Sequence, residues 1–256
     1  MKCTFTHDHY KEILRLFRKK GYNTVSFSSF EPKQPYQLIL RHDIDFLGKN
    51  LSILTDMEMK IGFQSINHFL LTSELYNINS LAVKKLLNKL KKNGHFLGLH
   101  VDTTAISSDS SIEELQKGFK KLLVIAKLLL GHIDSYSFHR PTKYGIYKEL
   151  FPENLPFNVP KCAYSDDFIK SIIYQSDSKR EWKKCCICRE IESLKGRSLQ
   201  LLIHPNWWNS KIINRDQNIN DYIIEMSNLT KAYLSDNLSF ISEKKNKLND
   251  FFSSNK

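Results

Sequence analysis

Apolar positions follow two rhythms along the chain. Ile13, Leu14 and Phe17 recur at helical spacing between His9 and Lys20, and Gly21 stops the pattern, which predicts a helix. Tyr36 to Asp43 reads as a buried strand, Asn50 to Lys60 as a helix and Phe63 to Leu71 as a strand. Asn79-Ser80 supplies a cap for a helix over Leu81 to Lys92, and Asn93-Gly94 ends it. His95 to Val101 is a short strand. Ser110-Ser111 opens a helix that runs to Leu130, before Gly131. Ser135 to His139 is a strand followed by a proline-rich loop, and Leu199 to His204 is a strand stopped by Pro205. After Asn220 the chain reads as a helical or amphipathic segment with a frayed, Lys-rich end.

Strands alternating with helices predict an α/β architecture, a parallel sheet or barrel with helices outside. No Gly- or Ser-rich linker and no repeat divides the 256 residues, so one domain is expected. Its barrel would span about residues 21–210, and a C-terminal helical segment about 211–256. The longest apolar stretch, Leu122 to Leu130, is interrupted by Lys127 and is too short to span a bilayer, so no transmembrane segment is expected. The first residues have neither an apolar core nor a small-residue cleavage site, and a cytoplasmic protein is expected.

The net charge is +11, yet Lys outnumbers Arg 30 to 8 and the basic residues are spread along the chain. Arginine is the usual reader of bases and phosphates, so nucleic acid is not the expected partner. Five cysteines, three of them at Cys185, Cys186 and Cys188, do not make a disulfide framework. Cys185 and Cys188 have the spacing of a zinc half-site, but no second pair in the sequence completes it.

In parallel α/β folds the reactive side chains collect at the carboxyl ends of strands. Four predicted ends carry such residues. Asp43 and Asp45 lie two apart in Arg41-His42-Asp43-Ile44-Asp45 and share a face while the strand persists. They suit a general base beside a metal ligand, although alone the pair reads as readily as a helix cap in a loop or a salt bridge with Arg41. His100 and Asp102 share a face by the same parity in Gly98-Leu99-His100-Val101-Asp102. His139 and Arg140 end the third strand before Pro141, and Arg140 suits a tether for a carboxylate. His204 leaves the fourth strand in His204-Pro205-Asn206-Trp207-Trp208, as a candidate general acid beside two tryptophans that either stack on sugar or pack.

Taken in order, these four segments resemble the motifs of the polysaccharide deacetylase (NodB-homology) superfamily, in its branch with an RHDxD opening and an IHPxWW close. Tyr174-Gln175-Ser176-Asp177-Ser178 followed by Trp182 resembles the same branch, and the likeness runs from about Gly21 to Trp208. The resemblance implies a distorted (β/α) barrel of about seven strands and metal-dependent removal of an N- or O-acetyl group from a carbohydrate, with surface polysaccharide biosynthesis as the setting. It implies Asp43 as catalytic base, Asp45 and His100 as metal ligands, Arg140 as the tether of the base and His204 as the acid. Trp182, Trp207 and Trp208 would bind the sugar. The family's second metal histidine falls here on Thr104. A zinc site needs a third protein ligand, and His139 is preferred to Asp102 because imidazole suits zinc, iron or nickel. The alternative is a non-catalytic carbohydrate-binding member of the same fold.

Overall fold

The fold is known from a computed structural model that describes residues 3–106, 111–140, 160–182 and 184–238. Pro141 with the proline-rich loop after it, Ser110, and the tail beyond residue 238 lie outside the described residues. The chain divides into two compact units, Met1–Ile212 and Ile213–Lys256.

The first unit contains, in order, α1 (His7–Lys19), β1 (Asn23–Thr24), β2 (Gln37–Ile44), α2 (Asn50–Ile61), β3 (Ile66–Leu70), α3 (Leu81–Lys92), β4 (Phe96–Val101), α4 (Thr103–Ile106) and α5 (Ile112–Leu130). It continues with β5 (Ser135–Phe138), β6 (Lys161–Cys162), α6 (Asp166–Ile169), β7 (Ile173–Ser176), α7 (Ile187–Glu190) and β8 (Leu199–Ile203). Seven strands form one path in the order β6-β5-β4-β3-β2-β8-β7, and β1 is added beside the start of β2. Among the described residues every ladder is parallel. The result is an open, curled sheet flanked by helices, a distorted (β/α) barrel as the sequence predicts.

Local chemistry explains the helix boundaries. α1 starts at His7, earlier than its apolar rhythm suggests, because the Thr6 hydroxyl accepts the His9 N–H at 3.2 Å. Ser80 and Ser111 cap α3 and α5 in the same way. α1 buries Tyr10, Ile13, Leu14 and Phe17, its predicted face.

β2 lies at the centre and is buried along its whole length. Its two faces meet different surroundings, as a strand's alternation requires. Leu38 and Leu40 join an apolar cluster with α1, while Ile39 packs with Ile66, Ala163 and Phe168. His42, on the helix side, meets Glu58 of α2 at 2.7 Å, and the Tyr10 hydroxyl donates to the same carboxylate at 2.6 Å. Arg41 and Asp43 lie on the other face, with β3 and β8 on either side of β2.

In the second unit the described secondary structure is one helix, α8 (Arg215–Asn237). A capping box starts it: Asn214 accepts the Gln217 N–H at 2.8 Å and Gln217 accepts the Asn214 N–H at 2.9 Å. Among the described residues, no helix is long and apolar enough to cross a membrane.

Candidate metal centre and proton-transfer site

The carboxyl ends of β2, β4 and β5 bring Asp45, His100 and His139 together. One ligand atom from each lies within 4.8 Å of the other two. Asp45 Oδ1 is 3.1 Å from His100 Nε2 and 2.9 Å from His139 Nδ1. His139 stands just past β5, held by its N–H to the Val101 carbonyl at 2.7 Å.

Hydrogen-bond partners set the tautomers. The Ser137 hydroxyl donates to Asp43 Oδ1 at 3.2 Å, so its oxygen accepts from His100 Nδ1 at 2.7 Å. In a neutral ring the lone pair of His100 Nε2 then faces the Asp45 carboxylate. Two acceptors that close call for a cation or a proton between them, and the set of one carboxylate and two imidazoles fits a divalent metal. Burial works against the Asp45 charge, but the His100 and His139 imidazoles packed against it and the charge of His204 hold its pKa well below the usual range.

Asp102 stays out of this cluster. Its carboxylate accepts the Thr104 N–H at 3.0 Å and the Thr104 hydroxyl at 2.6 Å, which binds it to the start of α4. Thr104, where the resemblance implies a metal histidine, is therefore part of a local cap.

Asp43 is fully engaged. Arg41 clasps it with Nε at 2.8 Å and Nη2 at 2.6 Å. His68 Nδ1 adds a contact at 3.3 Å. Burial would raise the Asp43 pKa, but the Arg41 charge, then that of His100, and hydrogen bonds from His68 and Arg41 hold it well below the usual carboxylate range. The rest of the Arg41 guanidinium is satisfied by Gln200 at 3.0 Å and the Tyr164 hydroxyl at 2.9 Å. Gly98 makes room for this arrangement, since a Cβ there would fall inside the His68 ring.

Arg140, expected to tether the base, is not brought to Asp43. It is exposed, and its Nε donates to His139 Nε2 at 2.7 Å. The guanidinium on Asp43 is that of Arg41, two residues earlier on the same strand face. This is the salt bridge that the sequence offered as one of the other readings of Asp43.

His204 leaves β8 with Nδ1 2.7 Å from Asp177 Oδ1. The same oxygen accepts the His204 N–H at 2.9 Å, and Asp177 Oδ2 accepts the Trp208 indole N–H at 2.9 Å. Burial disfavours the His204 cation, but the Asp177 hydrogen bond and charge, with the charges of Asp45 and Asp43, push its pKa up to about 9. This environment favours the His204 cation, with Nδ1 committed to Asp177.

One small pocket is lined by Asp43, Asp45, Phe46, His204, Pro205, Asn206 and Trp207. Of the three tryptophans expected to hold sugar, only Trp207 lines it. Trp208 is fully buried against Phe5 and Tyr10, at ring distances of 5.2 and 5.0 Å. Trp182 packs on Phe5 at 6.3 Å.

His68, Ser137 and Asp177 belong to this site with Arg41, and the sequence reading gave none of these three a role there. His68 had a signal, a histidine within an apolar strand whose parallel register places it opposite Asp43. Asp177 stood inside the Tyr174 to Ser178 segment already singled out, but without an assignment.

No protein-family model matches the chain, and no curated protein matches it. Solved structures that resemble it include two deacetylase-related chains. A deacetylase of Streptococcus pyogenes, PplD, in complex with acetate, shares 12% identity over 77% of this chain and 80% of its own, with a TM-score of 0.42. The Xyl-CE4 domain of a multidomain xylanase from the hindgut metagenome of Trinervitermes trinervoides shares 12% identity over 77% of this chain and 83% of its own, with a TM-score of 0.38.

Proposed function

We propose that the protein is a metal-dependent hydrolase of the deacetylase type, acting on an N- or O-acetyl group of a carbohydrate. The observation that carries the proposal is the convergence of Asp45, His100 and His139 within 4.8 Å, with Asp45 sharing its pocket with His204. The resemblance of the strand-end motifs to the deacetylase superfamily supports the substrate class. Bound between these donors, a divalent cation, zinc by the donor set, would supply a water of near-neutral pKa and polarise the acyl oxygen.

The chain's own groups do the rest. Asp43, kept ionised by Arg41, accepts the proton released as water adds to the acyl carbon. His204, kept protonated by Asp177, donates from Nε2 to the leaving nitrogen or oxygen as the bond to the acyl carbon breaks. Trp207 forms the wall on which a sugar ring would rest.

A second reading, binding without catalysis, draws on the saturation of Asp43. A carboxylate already held by Arg41, His68 and Ser137 is a weak base. Acetate release from acetylated amino sugars, measured on protein with confirmed metal occupancy, separates the two. The hydrolase reading expects turnover that Asp43→Asn and His204→Ala each lower about 10²–10⁴-fold in kcat with little change in KM. The binding reading expects no acetate from the wild type and unchanged ligand affinity in both variants.

A further inference from the structure

We propose that Cys3, His9 and Cys186 form a second metal site, a three-ligand one for a thiophilic d¹⁰ cation such as Zn²⁺, separate from the Asp45 cluster. One ligand atom from each residue lies within 4.8 Å of the other two, and His9 Nε2 is 3.2 Å from Cys186 Sγ. Donors on one tetrahedral zinc, with bonds of about 2.0–2.3 Å, stand roughly 3.3–3.8 Å apart, so small shifts close the set around an ion. Two sulfurs and an imidazole select zinc or copper(I) over magnesium or calcium.

The surroundings favour a ligand. The other ring nitrogen, His9 Nδ1, lies 3.2 Å from Glu12 Oε2, which in a neutral ring turns the Nε2 lone pair toward sulfur. A carboxylate behind a histidine is the usual outer partner of a metal-bound imidazole. Cys186 is buried, and the His9 ring stacks on Trp208 at 6.4 Å. On binding, two S–H bonds are lost to solvent as protons and two sulfur–metal bonds form, with no change in oxidation state. The ion would join the first turn of α1 to the residue preceding α7, across 177 positions of chain. It would brace Trp208, whose indole N–H holds Asp177.

The test is Co²⁺ titration of the full-length, reduced, metal-free protein. The wild type is expected to develop sulfur-to-cobalt charge-transfer absorption that saturates and then disappears when Zn²⁺ displaces the cobalt. Cys3→Ser and Cys186→Ser should each abolish the absorption, and Cys185→Ser and Asp45→Asn should keep it. Glu12→Gln should weaken Co²⁺ binding about tenfold. The signal is read on wild-type protein, so a variant that folds poorly does not decide the matter. No such absorption in reduced wild type, its survival in Cys3→Ser or Cys186→Ser protein with native circular dichroism, or a Cys3–Cys186 disulfide in protein isolated under reductant would each overturn the proposal.

Discussion

Asp177 holds His204 and Trp208 at once, one through each carboxylate oxygen: Oδ1 lies 2.7 Å from His204 Nδ1, and Oδ2 accepts the Trp208 indole N–H at 2.9 Å. The acid of the proposed reaction is thus oriented by a buried carboxylate that is itself fixed by a buried aromatic ring. Orientation and charge come from the same residue.

Asp177→Asn should therefore lower the His204 pKa from about 9 toward the ordinary 6.5, read by NMR titration of the imidazole in metal-free protein. The sign for stability follows. A histidine whose folded pKa lies above its unfolded value stabilises fully below about 6.5, and that contribution is lost as pH rises through about 9. The melting-temperature gap between wild type and variant should shrink across that window. A residual gap should persist above it, because the amide turns a donor toward the Trp208 N–H and leaves it unpaired, at about 1–3 kcal/mol. An unchanged His204 pKa in the variant would show that Asp177 does not set it.

Metal affinity at the Asp45 cluster should depend on both histidines and not on Asp102. In a Cys186→Ser background, which removes thiolate binding, His100→Ala and His139→Ala should each weaken Zn²⁺ binding by more than about 100-fold, the upper end of what losing an outer partner costs. Asp102→Asn should leave it unchanged, since that carboxylate is spent on Thr104. Arg140 adds a direction that can be checked. Its Nε donates to His139 Nε2 at 2.7 Å, which places the ring proton on Nδ1, toward Asp45. A cation must displace that proton, so Arg140→Gln should tighten binding. Calorimetry that finds Arg140→Gln weaker than wild type would remove this account of the arginine.

Much of this site was legible because strand parity is local. The apolar run Leu38 to Leu40 followed by polar residues located β2, and a period of two put Asp43 and Asp45 on one face. His139 was legible as a strand-end imidazole near Thr104. The partner of Asp43 was not, because Arg41 and Arg140 are equally plausible in sequence. The choice depends on backbone direction: Arg41 lies alongside Asp43 on an extended strand, whereas Arg140 has a φ of 50° and turns away. β7, at four residues, is too short for an alternation signal, so Asp177 had no visible strand end to occupy. The fate of Trp208 is decided by Phe5 and Tyr10, about 200 positions away, and no local pattern encodes that.

Removing the Arg41 guanidinium should cost stability more than function in the first instance. Arg41→Met strands the Asp43 charge in a buried site, and breaking one side of a buried pair typically costs about 3–5 kcal/mol. The Asp43 pKa is depressed in the folded state, so its contribution is present above the ordinary value of 3.8 and lost as pH falls through the lower folded value. Urea unfolding should show the full loss at pH 7 and a narrowing gap below about pH 3.8. Adding Asp43→Asn to Arg41→Met should recover part of the loss, because no unpaired charge remains. A double variant less stable than either single one would mean that the pair contributes more than its desolvation costs.

Trp207 and Trp208, adjacent in sequence, should behave as different kinds of residue. Trp208 is fully buried and donates to Asp177, so Trp208→Ala removes core volume and a hydrogen bond, and should cost about 3–5 kcal/mol in unfolding experiments. Trp207 lines the pocket with Asp43, Asp45 and His204 and meets Phe46 edge-on at 6.1 Å. Trp207→Ala should leave the melting temperature nearly unchanged and raise KM, or the ligand dissociation constant, for an acetylated sugar. Loss of about 1.4 kcal/mol of stacking corresponds to roughly tenfold. Trp208→Phe separates packing from hydrogen bonding: it keeps most of the apolar contact and frees Asp177 Oδ2, so its effect should appear in the His204 titration before it appears in KM. If Trp207→Ala lowered stability as much as Trp208→Ala while sugar affinity stayed constant, Trp207 would be a packing residue and the wall of the sugar site would have to be sought elsewhere around the pocket.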